Sequence, residues 1–97
     1  MAWVLVQKAT ETGWDEYQRV ADAAGVDDNP PEGLIVHAAG QDGANWRSVS
    51  VWESQEAYER FRDERLLPAV VQALGEDLAN QGPPPQESFE TKHLVKP

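Results

Sequence analysis

Along these 97 residues the spacing of the apolar side chains changes in a set order, and that order limits the fold more than any other feature of the chain. Residues 2 to 8 form a short run rich in Val and Trp, as a strand requires. Trp14, Tyr17, Ala21 and Ala24 then recur at helical spacing. Thr12 is placed as the N-cap of that helix, Asp15 falls at its third position, and Gly25 is a natural stop. Asp27-Asp28-Asn29-Pro30-Pro31 is loop chemistry, because paired prolines cannot continue a helix. Two strands follow, Gly33 to Gly40 and Trp46 to Glu53, separated by the turn residues Gln41-Asp42-Gly43-Ala44 and close enough to form a hairpin. Ser54 caps a second helix, with Glu56 placed for the helix dipole and Ala57, Tyr58, Phe61 and Arg65 near one face. Pro68 predicts a kink or a restart before Ala69 to Leu74. Gly82-Pro83-Pro84-Pro85 reads as a stiff linker, and Ser88 to Lys96 as a weak fourth strand.

The order strand, helix, strand, strand, helix, strand is the split βαβ plan of an α+β, ferredoxin-like domain. It predicts a four-stranded antiparallel sheet with both helices on one face, formed by residues 1–97 as a single domain. The opposite face of such a sheet is bare and has to find cover. Composition narrows the partners. With 17 Asp and Glu against 8 Lys and Arg, the net charge is −9, and no cluster of bases is available to neutralise phosphates. A nucleic-acid partner or an anionic membrane surface is therefore disfavoured. There is no Cys, so neither disulfide nor thiolate chemistry is open to the chain. The apolar run at the N-terminus is too short for a signal peptide, and no stretch approaches the ~18 residues of a membrane span, so a cytoplasmic location is expected. Phosphate loops of the GxGxxG and GxxxxGK[ST] kinds are missing, as is a nucleophile elbow, which disfavours nucleotide-dependent and serine-hydrolase activities.

Alternation along the hairpin sorts its side chains onto two faces. If Gly40 pairs with Asn45, His37 lies opposite Ser48 and Ile35 opposite Ser50. One face then collects Leu34, Val36, Ala38, Val49 and Val51. The other collects Ile35, His37, Ala39, Trp46, Ser48, Ser50 and Trp52. Small hydroxyl residues between large rings leave room and offer hydrogen bonds, which is the composition of a ligand pocket; plain core or interface packing is the competing reading for both Trp residues. His37, mid-strand and with an intrinsic pKa near ~6.5, is the candidate acid-base group. Trp46, Ser48, Ser50, Trp52, Tyr58, Arg65 and His93 are candidate substrate contacts. Arg65, on an otherwise apolar helix face, either binds an anionic or phenolate group or pairs with Glu53, Asp63 or Glu64. Two histidines make a weak metal site, since catalytic zinc usually takes three protein ligands, so no metal and no cofactor is expected.

Three segments carry a family resemblance: Pro31-Glu32-Gly33-Leu34-Ile35-Val36-His37, Trp46 through Ser54, and Glu64-Arg65-Leu66-Leu67-Pro68-Ala69. They resemble the small dimeric α/β-barrel proteins grouped with the antibiotic biosynthesis monooxygenase-like domains. The resemblance implies a homodimer joined through its sheet faces, with a pocket for a small apolar or aromatic molecule between sheet and helices of each subunit. It spans oxygenases, haem degraders, cyclases and isomerases, so it specifies fold better than activity. Haem-degrading members carry an Asn on the first strand and a His on the second helix. The first strand here reads Trp3-Val4-Leu5-Val6-Gln7 and residues 54–74 hold no His, which argues against haem degradation. Cofactor-free oxygenases of the group act on aromatic polyketides with Asn, Trp, Tyr and Arg side chains. Trp52, Tyr58 and Arg65 supply those residue types without a one-to-one match. Two functions follow as expectations: a cofactor-independent monooxygenase, cyclase or isomerase, or a non-catalytic ligand-binding homodimer.

Overall fold

A computed structural model of the chain describes residues 2–10, 13–76 and 86–96. Within these, the elements are β1 (Trp3–Thr10), α1 (Trp14–Ala24), β2 (Leu34–Asp42), β3 (Asn45–Trp52), α2 (Gln55–Phe61), a π-helical turn (Arg62–Leu66), α3 (Leu67–Leu74) and β4 (Gln86–Glu90). The four strands form one antiparallel sheet in the order β2-β3-β1-β4, the ferredoxin-like arrangement. The linker placed at Gly82 to Pro85 lies outside the described residues, as does the N-cap placed at Thr12.

The N-cap of α1 is Gly13. Gly13 is extended, and its N–H donates to Glu16 Oε2 at 3.1 Å, so Glu16 rather than Asp15 closes the box over the first turn. At the other end Gly25 adopts φ +68° and donates to the Ala21 carbonyl, the left-handed stop that glycine accepts without steric cost. Ser54 caps α2 as its position suggests, with Oγ accepting from Ala57 N–H at 3.2 Å. Pro68 does not restart the helix. The chain runs on from α2 to α3, and the turn just before the proline widens, with Leu67 N–H donating to Arg62 O five residues back. Proline has no N–H to give to the carbonyl four residues earlier, and a π turn is one local solution to that deficit.

The hairpin is paired two residues away from the expected register. His37 faces Ser50, Ala39 faces Ser48, and Asp42 faces Asn45, so the loop is only Gly43-Ala44. A shift of two preserves facing, because side chains alternate with period two. A bulge between Leu34 and Val36 then corrects one assignment: Leu34 lies opposite Trp52, on the helix side, and Ile35 becomes the extra residue. The fourth strand is Gln86–Glu90, not Ser88 to Lys96. It pairs with β1 only as far as Trp3↔Glu90, where β1 itself begins, and after a last contact from Thr91 N–H to Ala2 O there is no strand left to extend.

The core lies between sheet and helices. Trp3, Leu5, Trp52 and Tyr58 are buried together, with Leu34, Ala57 and Phe61 packed around them. Tyr58 meets Trp3 and Trp52 at ring-centroid distances of 5.5 Å, and Phe61 meets Trp52 at the same distance. On the opposite face of the sheet Val36, Val49 and Phe89 remain exposed, at 54%, 43% and 55% of their surface.

Candidate functional site

The site is built where α1 crosses β2. Trp14 and Tyr17, three residues apart, project from one face of α1, and Ala21 continues that face. His37 and Ala39, two residues apart, project from β2 toward them. With Gln18, Asp22 and, from the loop after Gly25, Asp27, these residues enclose a cleft of about 320 Å³. Tyr17 Oη lies 2.7 Å from His37 Nε2, and the two rings are nearly parallel, 3° apart in plane with centroids separated by 6.2 Å. Behind them stands Trp46 of β3, buried, 4.9 Å from the Tyr17 ring and 5.9 Å from Trp14.

Partial desolvation of the His37 ring holds its pKa below the ordinary histidine value, while the residue stays open to solvent where it lines the cleft. Burial, reinforced by the negative charge of Asp27, pushes the Tyr17 hydroxyl above the ordinary phenol range. At neutral pH the pair is thus a neutral imidazole against a protonated phenol. In the tautomer that carries its hydrogen on Nδ1, Tyr17 donates and His37 Nε2 accepts.

The other candidate residues are distributed differently. Ser50 is buried and accepts from the Trp52 indole N–H at 2.9 Å. Trp52 and Tyr58 belong to the core cluster. Ser48, half-buried on β3, stands opposite Ala39. Arg65 Nη2 donates to the carbonyls of Ala24 at 2.6 Å and Asn29 at 2.7 Å, and its guanidinium lies over the Phe61 ring. Its partners are backbone oxygens at the end of α1 and in the loop that follows, not the carboxylates of Glu53, Asp63 or Glu64. His93 follows β4 in an exposed stretch. Of the candidate residues, His37 alone lines the cleft, with Tyr17 and Trp14 as its unforeseen companions; Trp46 packs behind those two rings, and Ser48, Ser50, Trp52, Tyr58, Arg65 and His93 lie outside the lining. The periodicity placed Trp14 and Tyr17 on one helix face, which was the available signal. Which strand that face covers is a tertiary fact.

A second cleft, of about 310 Å³, opens between the Asn29–Glu32 loop and the face of α2 and the π turn that carries Ala57, Phe61 and Arg65. It holds no pair of groups set for proton transfer. Among the described residues no group of three or more His, Asp or Glu side chains could hold a metal ion, and no helix is long and apolar enough to cross a membrane.

No family model and no curated protein matches the chain. Solved structures do. The chain is similar to a Chloroflexus aurantiacus protein assigned as an antibiotic biosynthesis monooxygenase, with a TM-score of 0.65 and 11% identity over 99% of this chain and 98% of that one. It is similar to SnoaB, a cofactor-independent oxygenase from Streptomyces nogalater, with a TM-score of 0.61 and 16% identity over 97% and 96% of the two chains. It is also similar to a monooxygenase of Streptomyces coelicolor solved with nanaomycin D, with a TM-score of 0.58 and 20% identity over 99% and 92%. The chain shares with these structures its fold, a ferredoxin-like four-stranded antiparallel sheet with helices on one face.

Proposed function

We propose that this protein binds a planar aromatic small molecule in the cleft between α1 and β2 and moves a proton on it through the Tyr17–His37 pair. The observation that carries the reading is the 2.7 Å contact between Tyr17 Oη and His37 Nε2 on the wall of a cleft of about 320 Å³. Proton transfer needs donor and acceptor within hydrogen-bond reach, and an acceptor that is neutral at working pH. A hydroxyl whose pKa is raised resists forming a free tyrosinate, so the proton passes in one movement. Tyr17 gives its hydrogen to Nε2 as a substrate proton arrives on Oη. An acidic carbon or phenol of an extended aromatic ring system is a suitable donor, because its anion is delocalised.

That anion is also what a cofactor-independent oxygenase requires, and two neighbours in fold, SnoaB and the Streptomyces coelicolor enzyme, are an oxygenase and a monooxygenase. With dioxygen as the oxidant, a ring methylene is converted to a ketone: one oxygen atom enters the product and the other leaves as water with the two hydrogens removed. The Tyr17–His37 relay starts that sequence, and dioxygen takes the four electrons. Cyclisation or isomerisation of the same anion is the redox-neutral outcome.

The test is turnover of a hydroxylated tricyclic aromatic in air by the wild type, His37→Ala and Tyr17→Phe. Each variant is expected to lose about 10²- to 10⁴-fold in kcat, the usual scale for one acid-base group. Unchanged turnover in both overturns the catalytic role. A non-catalytic ligand-binding homodimer is the second reading, favoured by the engagement of Ser50, Trp52, Tyr58 and Arg65 in packing or hydrogen bonds within the protein. It predicts saturable binding without turnover. In either case a second copy covers the apolar face around Val36, Val49 and Phe89, and the protein acts in the cytoplasm.

A further inference from the structure

Beside the neutral Tyr17, Gln18 and His37, the charged side chains that line the α1–β2 cleft are both negative. Asp22 extends from the last turn of α1 and Asp27 from the loop beyond it, both exposed, while no Lys or Arg lines the cleft. Neither carboxylate has an ion-pair partner among the described residues; the salt bridges there join Arg47 to Asp42 and Arg62 to Asp63, both elsewhere. The guanidinium of Arg65, which reaches the loop, is engaged by the Ala24 and Asn29 carbonyls. At the other side of the cleft stands Trp14, 55% exposed, with the Tyr17 ring stacked on it at 6.0 Å. A large aromatic that stays open to water beside a concavity is more informative than one that is buried.

Aromatic faces and unpaired carboxylates attract the same kind of ligand. Ring faces carry negative quadrupole potential and draw cations, and the two carboxylates add to that field. Resting on the reading of this cleft as the ligand site, we infer that it selects a positively charged aromatic molecule, a planar ring system bearing a protonated amine, and discriminates against carboxylates. The ring lies against Trp14 and Tyr17 while the ammonium group points to Asp22 and Asp27. At the Tyr17 hydroxyl on the cleft wall, burial raises the pKa and the charge of Asp27 adds to it.

Three probes of one ring and different charge test this: naphthylmethylamine, naphthylmethanol and naphthoate. Calorimetry gives the Kd of each, and the His37 and Trp14 side-chain resonances report where each binds. The amine is expected to bind about tenfold tighter than the alcohol and the carboxylate weakest, since each partly exposed carboxylate contributes roughly a few-fold. Asp22→Asn with Asp27→Asn should bring the amine-to-alcohol ratio close to one. Glu56→Gln, on α2 and away from the cleft, removes the same kind of charge and should leave that ratio intact. Both sets of substitutions are at exposed positions, and retained circular dichroism confirms the fold. Equal affinity of all three probes, with His37 and Trp14 shifting for each, overturns the charge preference and leaves the cleft as the site. Equal loss of the ratio in Glu56→Gln overturns it too, because overall acidity would then be the cause. Resonance shifts confined to residues away from the cleft overturn the site and the preference together.

Discussion

His37 couples the site to stability as well as to chemistry. Its pKa is depressed in the folded chain, so as pH falls the unfolded chain takes up a proton first. Stability is full above the unfolded value of about 6.5, declines as pH drops below it, and levels off once the folded imidazole is protonated as well. Urea unfolding followed across that range should show this slope in the wild type and a shallower one in His37→Gln. Catalysis has the same direction: rate should fall on acidification, as protonation removes the acceptor for the Tyr17 hydrogen. Ser50 offers a contrast. Its hydroxyl is the acceptor for the Trp52 indole, so Ser50→Ala strands a buried donor and should cost about 1–3 kcal/mol in denaturant titrations while leaving ligand affinity near wild type. The two residues share a sheet face and are cross-strand partners, and the strand period alone gave them similar standing. The place of His37 on the helix side of the sheet was legible because alternation put it on the mixed face. Tyr17 was not legible as the partner of His37, since no local rule sets the height at which a helix crosses a strand. Trp52 and Tyr58 have the composition of a pocket but fill the core, a distinction that composition cannot make.

At the scale of elements, the order and type of every strand and helix could be read from period and caps, whereas ends and registers depended on partners. β4 stops where β1 begins, and the hairpin slipped by two residues because its loop is shorter than the turn residues suggested. The π turn before Pro68 was visible only as a disturbance. Two contacts lock these elements together. Gly33, at φ +88°, enters β2 so close to α2 that a Cβ there would come within 2.6 Å of Ala57 Cβ. Gly33→Ala should therefore destabilise by at least about 2 kcal/mol, combining overpacking with left-handed strain. Adding Ala57→Gly should recover only the overpacking part, which a double-mutant cycle in urea will show. Arg65 joins the π turn to the end of α1 through the Ala24 and Asn29 carbonyls. Replacing it by Met removes two charge-assisted hydrogen bonds and should cost about 2 kcal/mol, with faster amide exchange across residues 25–31.

The described residues form one sheet covered by helices on one side, with Val36, Val49 and Phe89 exposed on the other. Burial of that face against a second copy is the direct way for such a sheet to keep its apolar side chains from water. Sedimentation should give a dimer for the wild type and a monomer for Val49→Lys, which places a charge in the middle of the patch, with no change at the cleft on the helix side. The central claim concerns that cleft, and nuclear magnetic resonance tests it most directly. On titration with naphthol, the side-chain signals of Trp14, Tyr17 and His37 should shift together and saturate, while those of Phe61 and Trp52 stay in place. Saturable shifts at Phe61 and the Asn29–Glu32 loop, with His37 and Tyr17 unmoved, would contradict the account.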